Sequence, residues 1–155
     1  MALTRRRPAE HREEDVVHSG RAFMAGVVGA LAMSLVMACL RAAGIALHIE
    51  SDLAALLGTR AWLVGLAAHL LIGGTLGVAY GVFFELVVHD SGVGPGVFLG
   101  ACNTVFAGFA WAAIGGPGRF WSNLGPEGVI ALFIAHMTFG AVVGSAYKAE
   151  SKLLA

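Results

Sequence analysis

The sequence predicts an all-α integral membrane protein. It is a four-helix transmembrane bundle built from two parallel two-helix repeats, with a short interfacial helix after the first span. Three observations carry this prediction. The 155 residues are 57% hydrophobic and 13% charged, whereas a soluble domain carries about 25% charged residues. The mean hydropathy is +0.77, and the apolar residues gather into four runs close to the ~20 residues that cross a ~30 Å hydrocarbon core. Finally, residues 68–80, AHLLIGGTLGVAY, return as residues 135–147, AHMTFGAVVGSAY. The two copies share Ala68/Ala135, His69/His136, Gly73/Gly140, Gly77/Gly144, Ala79/Ala146 and Tyr80/Tyr147.

Residues 1–19 read as a polar cytoplasmic tail, helical from about Glu10. Its Arg5, Arg6 and Arg7 precede Glu10, Glu13, Glu14 and Asp15. The charges are mixed and no small-residue cleavage site follows the apolar run, which excludes a secretory signal. A topology signal explains the arginine triplet, and a lipid-headgroup contact is the other option. Residues 20–155 form the membrane domain. Its first span, 22–40, is opened by Arg21, and Gly26 and Ala30 form a small-xxx-small step for close packing. Arg41 ends this span and Gly44 permits a turn.

An interfacial helix is expected over about 51–58. Ser51 and Asp52 suit its N-cap, Leu53, Leu56 and Leu57 follow at helical spacing, and Gly58 suits its stop. His48, in the approach, reads as solvated. The second span, 62–88, starts at Trp62, an aromatic-belt residue, and Glu85, His89 and Asp90 mark its other end. Residues 90–96 form a turn, and Pro95 is tolerated at the start of the third span, 97–114, because first-turn amides lack intrahelical partners. That span carries Gly100, Gly108 and the polar pair Asn103 and Thr104 at mid-depth. Residues 115–118 terminate it. A loop, 119–127, presents Phe120 and Trp121 to the interface, and Pro126 and Glu127 introduce the fourth span, 128–147. Lys148, Glu150 and Lys152 close the chain.

Four spans put both termini on one side. That side carries Arg5, Arg6, Arg7, Arg12, Arg21, Lys148 and Lys152, against Arg41, Arg60 and Arg119 opposite. The positive-inside rule then gives N-in and C-in. Formal net charge is zero, so nothing in bulk charge implies a nucleic-acid partner. Cys39 and Cys102 lie in apolar segments with no CxxC spacing, which suggests small core residues rather than a disulfide or zinc site.

Spans one and three echo each other as well: Gly26-Val27 matches Gly96-Val97, Ala30 matches Gly100, and Ser34 matches Thr104. Tandem two-helix units keep one orientation, so a pseudo-twofold axis runs along the membrane normal. His69 and His136 are then at equal depth, roughly 10–12 Å inside the outer start of their helices by the helix rise. They face each other if spans two and four both face the axis. The histidine stripe reads Gly65, His69, Gly73, Gly77 in one copy and Leu132, His136, Gly140, Gly144 in the other.

Three functions fit this pair. In a structural one, each histidine makes an interhelical hydrogen bond worth about 0.6–2 kcal/mol, with Ser34 at the right depth to be a partner. The protein is then a non-enzymatic accessory or scaffold subunit of a membrane assembly. In a second, His69 and His136 are the axial iron ligands of one haem b, and Gly73 and Gly140 clear room for the ring. That layout resembles the helical bundles of b-type cytochromes, with Arg60 or Arg119 as possible propionate partners. In a third, His69, His136, Asn103, Thr104, Glu85 and Cys102 line a path for protons, a metal ion or a small solute, since intramembrane ionisable groups are functional candidates. Against that path, Glu85 is ~24 Å from His69 along a helix, and two histidines do not close a zinc site.

Tight glycine packing draws helix axes together, while a haem holds them apart, so both cannot occur between the same two helices. Catalytic motifs such as Gly-x-Ser-x-Gly, a Walker loop or HExxH do not occur, which disfavours a conventional enzyme. Tyr80 and Tyr147 read as interface anchors.

A glycine-rich first span, an acidic-apolar segment after it and the AHxxxG step of residues 68–73 and 135–140 together resemble small four-helix bacterial inner-membrane proteins of uncharacterised function. The resemblance implies the inner (cytoplasmic) membrane, and self-association or other membrane subunits as partners beside the lipid bilayer. It implies no activity.

Overall fold

The computed structural model describes residues 18–45, 47–115 and 119–147, with the backbone alone at 115 and 119–123. Five helices follow one another: α1 (Ser19–Ala42), α2 (Ile49–Leu56), α3 (Trp62–Phe83, continued by a π-helical turn Phe84–Val88), α4 (Val93–Gly115) and α5 (Arg119–Ala146). Four segments are long and apolar enough to cross a membrane: Ser19–Ala42, Trp62–Val88, Val93–Ile114 and Leu124–Ala146. The chain is a small, all-α, multi-pass membrane protein with a four-helix bundle.

Glycines decide which helices pair. A Cβ placed on Gly26 of α1 would strike the Gly73 carbonyl oxygen and lie 2.8 Å from the Gly77 Cα of α3. One on Gly96 of α4 would strike the Gly140 carbonyl oxygen and lie 3.2 Å from the Gly144 Cα of α5. Both pairs thus have backbone resting on backbone, which only residues without side chains permit. α1 also packs on α5, where Gly29 faces Phe139 and Val143. The order across the bundle is α3, α1, α5, α4, and α3 and α5 touch only marginally. The main core lies along α1 and α5, where Ala22, Ala30 and Met37 meet Ala135, Phe139 and Val143.

Two glycines at positive φ end helices. Gly44 (φ +93°) follows α1, and Gly58 (φ +73°) follows α2. In each case the amide two residues after the cap bonds a carbonyl five residues back, Ile45 to Leu40 and Thr59 to Ala54, each at 3.0 Å. This is the Schellman pattern, and its left-handed position strains any residue with a Cβ.

Several expectations are corrected. α2 begins at Ile49 with His48 at its N-cap, so Ser51 and Asp52 sit in its first turn. It is docked on α3. A Cβ on Gly65 would land on the Glu50 carbonyl oxygen, so α2 seats in the notch that Gly65 leaves on α3. Glu50 is buried, and Arg41 donates to the Leu47 carbonyl at 2.8 Å and to the Glu50 carboxylate at 3.2 Å. The expected loop 119–127 is helical to residue 124 and breaks at Gly125 (φ 64°, ψ 172°), after which Pro126 restarts the helix. α4 starts at Val93, so Pro95 falls within its first turn. His48 is exposed, as expected. The arginine triplet, residues 116–118, the side chains of Arg119, Phe120 and Trp121, and the lysines after 147 lie outside what is described.

Tyr80 and Tyr147 are not interface anchors. They are 6% and 1% exposed and belong to an aromatic cluster. Tyr80 meets Phe139 edge-on with ring centroids 5.5 Å apart, and Tyr147 stacks on Phe84 at 6.1 Å. The Tyr147 hydroxyl donates to the Glu85 carboxylate at 3.0 Å, so Glu85 is a buried group rather than a marker of the helix end.

A histidine-bearing cavity between the helix pairs

His69 lies on α3 and His136 on α5, each 7% exposed. Because α3 is held by α1 and α5 by α4, the two histidine helices splay. Between them and α4 lies a cavity of about 350 Å³. Both imidazoles line it. Met33 and Phe139 contribute from α1 and α5, while Asn103, Phe106 and Trp111 contribute from α4. Ile49, Leu53 and Leu56 of α2 close one end. Ile72, Phe106 and Ile114, on the lining, are exposed apolar side chains of the spans, so the opening lies on the surface suited to lipid.

The two histidines are held differently. His69 Nδ1 is 3.1 Å from the Ser34 hydroxyl, a bond that ties α3 to α1 and joins the two residues the sequence paired by depth. His136 Nδ1 is 3.0 Å from the Leu132 carbonyl oxygen one turn earlier on its own helix. A carbonyl only accepts, so Nδ1 carries the proton and Nε2 of the neutral ring is an unprotonated acceptor. Among the described residues, neither Nε2 has a hydrogen-bond partner.

The other candidates scatter. Asn103 lines the cavity. Thr104 is fully buried, with its hydroxyl donated to the Gly100 carbonyl of its own helix at 3.2 Å. Ser34 acts through His69. Glu85 is with Tyr147, away from the cavity lining. Gly73 lines the cavity, but its Cβ direction is filled by the Ala30 side chain and the Gly26 carbonyl, whereas Gly140 turns onto Gly96. Cys102 is half-buried and Cys39 exposed.

Sequence reasoning missed the contribution of α2 and of Phe106 and Trp111. A signal was available for α2: Gly65 heads the histidine stripe one turn above His69, and a notch there implies something seated in it.

Haem fits this site in one respect. With both Nδ1 atoms engaged, each Nε2 is the nitrogen left for an axial bond. The rest does not fit. The spaces beside Gly73 and Gly140 hold helix backbone and an alanine, not room for a ring, and among the described residues no lysine or arginine lines the cavity to meet propionates. Among the described residues there is no group of three or more His, Cys, Asp or Glu that could hold a metal ion.

No protein-family model matches this chain, and neither does any curated protein or solved structure.

Proposed function

We propose that this membrane protein is a non-enzymatic binding subunit that holds a small lipid-soluble molecule between its two helix pairs. The observation that carries this reading is the cavity of about 350 Å³ lined by both intramembrane histidines. Its size falls in the usual range for small-molecule sites, as does a mainly apolar lining with a few polar groups. A purely structural role accounts for His69, which ties α3 to α1 through Ser34. It does not account for His136, whose one bond is to its own helix. A conducting path is less well supported, because Phe139 and the Tyr80 cluster fill the space between the cavity and Glu85.

The chain reads as a tandem duplication. In support, Gly26 rests on Gly73 and Gly77, and the matching Gly96 rests on the matching Gly140 and Gly144. The excess of lysine and arginine on the terminal side supports cytoplasmic termini, with the cavity toward the outer half of the membrane.

A direct test uses the Trp111 indole on the cavity wall. The full chain, with Trp62 and Trp121 changed to Phe, is titrated in nanodiscs with a lipophilic aromatic probe. Saturable quenching of Trp111 is expected, and it should be lost in Ala107→Phe, which fills the cavity. Quenching that merely follows the probe's partition into lipid, or that is unchanged in Ala107→Phe, would overturn the reading.

A further inference from the structure

We propose that the cavity selects a lipophilic ring compound bearing a hydroxyl group, of the phenol or quinol class, and that His136 Nε2 accepts the hydroxyl hydrogen. This deepens the binding function above and rests on it.

The argument starts from the Leu132 carbonyl. It holds the His136 proton on Nδ1, so the neutral ring offers the cavity an acceptor, Nε2, and no donor. The residue is more than nine-tenths buried, lines the cavity and has no other bond among the described residues. A ligand that covers this acceptor without offering it a hydrogen would leave it unsatisfied, which is unfavourable. The polar groups of this wall, His69, Asn103, Trp111 and His136, could hold a water, but a water leaves the apolar space unfilled. A ligand that brings its own O–H satisfies the nitrogen and fills the apolar space at once.

The remaining walls narrow the class. Among the described residues no charged side chain lines the cavity, so an ionic ligand would be buried there without compensation. Phe106, Trp111 and Phe139 offer faces and edges to a ring. The exposed apolar residues at the opening admit a molecule that partitions into lipid. Asn103, with both a donor and an acceptor, suits a second oxygen on the same ring.

The test is a matched pair: 2-naphthol and 2-methoxynaphthalene, which share the ring system but differ in the hydroxyl hydrogen. Each is titrated into the full chain in nanodiscs, with Trp111 as reporter, and corrected for partition into empty nanodiscs. The naphthol should bind about tenfold more tightly, equivalent to about 1.4 kcal/mol. In His136→Phe that preference should vanish while both compounds still bind. A second measurement needs no variant. The ring-nitrogen NMR signal of His136 Nε2 in the wild-type chain should move on adding naphthol and not on adding the ether. Equal binding of the two compounds, or an unmoved Nε2 signal, overturns the hydroxyl selection and leaves the binding site standing. A preference that survives in His136→Phe overturns the role of His136. If neither compound binds saturably, both this inference and the binding function fail.

Discussion

The Glu85 carboxylate is 5% exposed and receives the Tyr147 hydroxyl at 3.0 Å. The Tyr80 hydroxyl is also buried, yet it has no hydrogen-bond partner among the described residues. The two tyrosines occupy matching positions in the similar stretches 68–80 and 135–147, but their hydroxyls have opposite values to the fold. Tyr147→Phe strands a buried acceptor and should destabilise by about 1–3 kcal/mol. Tyr80→Phe removes an unsatisfied polar atom while keeping the ring against Phe139 and Phe84, and should be neutral or stabilising by up to ~1 kcal/mol. Unfolding midpoints of both variants in mixed micelles compare them directly; equal losses would refute the assignment. The sequence showed the two tyrosines as equivalent. It could not show that one of them meets a carboxylate from another helix, because that contact is made only in the folded bundle.

At the scale of a helix, glycine chemistry gives the sharpest contrast. Gly94 and Gly96 both lie at the start of α4. A Cβ on Gly94 has nothing within 4 Å, whereas one on Gly96 strikes the Gly140 carbonyl. Gly94→Ala should therefore leave the contact between α4 and α5 intact, its one cost being the crowding of the new Cβ against Pro95. Gly96→Ala must push α4 off α5 and should cost about 1–3 kcal/mol. Thermal unfolding of the pair checks this, and a Gly96→Ala as stable as Gly94→Ala would mean the helices do not approach so closely. α2 offers a second case. Gly65→Ala fills its notch, and Arg41→Met leaves the buried Glu50 carboxylate without its cation. That carboxylate already has one oxygen with no partner. Both variants should undock α2 and expose the flanking residues 43–48 and 57–61 to protease, while the spans remain helical by circular dichroism. α2 starts before Ser51 and Asp52 because cap preference is local, and the seat on Gly65 is a tertiary contact that overrides it.

The whole molecule resolves a choice that looked exclusive. Close glycine packing and an open space between the histidines cannot coexist between two helices, but four helices separate them. The glycines bind α1 to α3 and α4 to α5, and the space stays open between the pairs. The same arrangement bears on haem, since the glycines are already spent on helix contacts. Protein expressed with ample haem and purified from membranes should show no Soret band and no reduced-minus-oxidised haem difference spectrum. A stoichiometric band that disappears in His69→Ala or His136→Ala would require a wider separation of α3 and α5 than the one described.

The sequence by itself determined the class of protein. The length and hydropathy of four runs required membrane-spanning helices, and the helix rise together with the echo of residues 68–80 put both histidines at comparable heights. The partner of His69 was also legible, because Ser34 lies at that height on a neighbouring span. What only the tertiary structure decided was the pairing of the helices and everything that follows from it: the splay of α3 from α5, the docking of α2, the burial of Glu50 and Glu85, and the cavity. The physical reason is that a glycine stripe marks a face able to approach another backbone and carries no information about which backbone arrives. That choice is made by simultaneous close packing over all the helices.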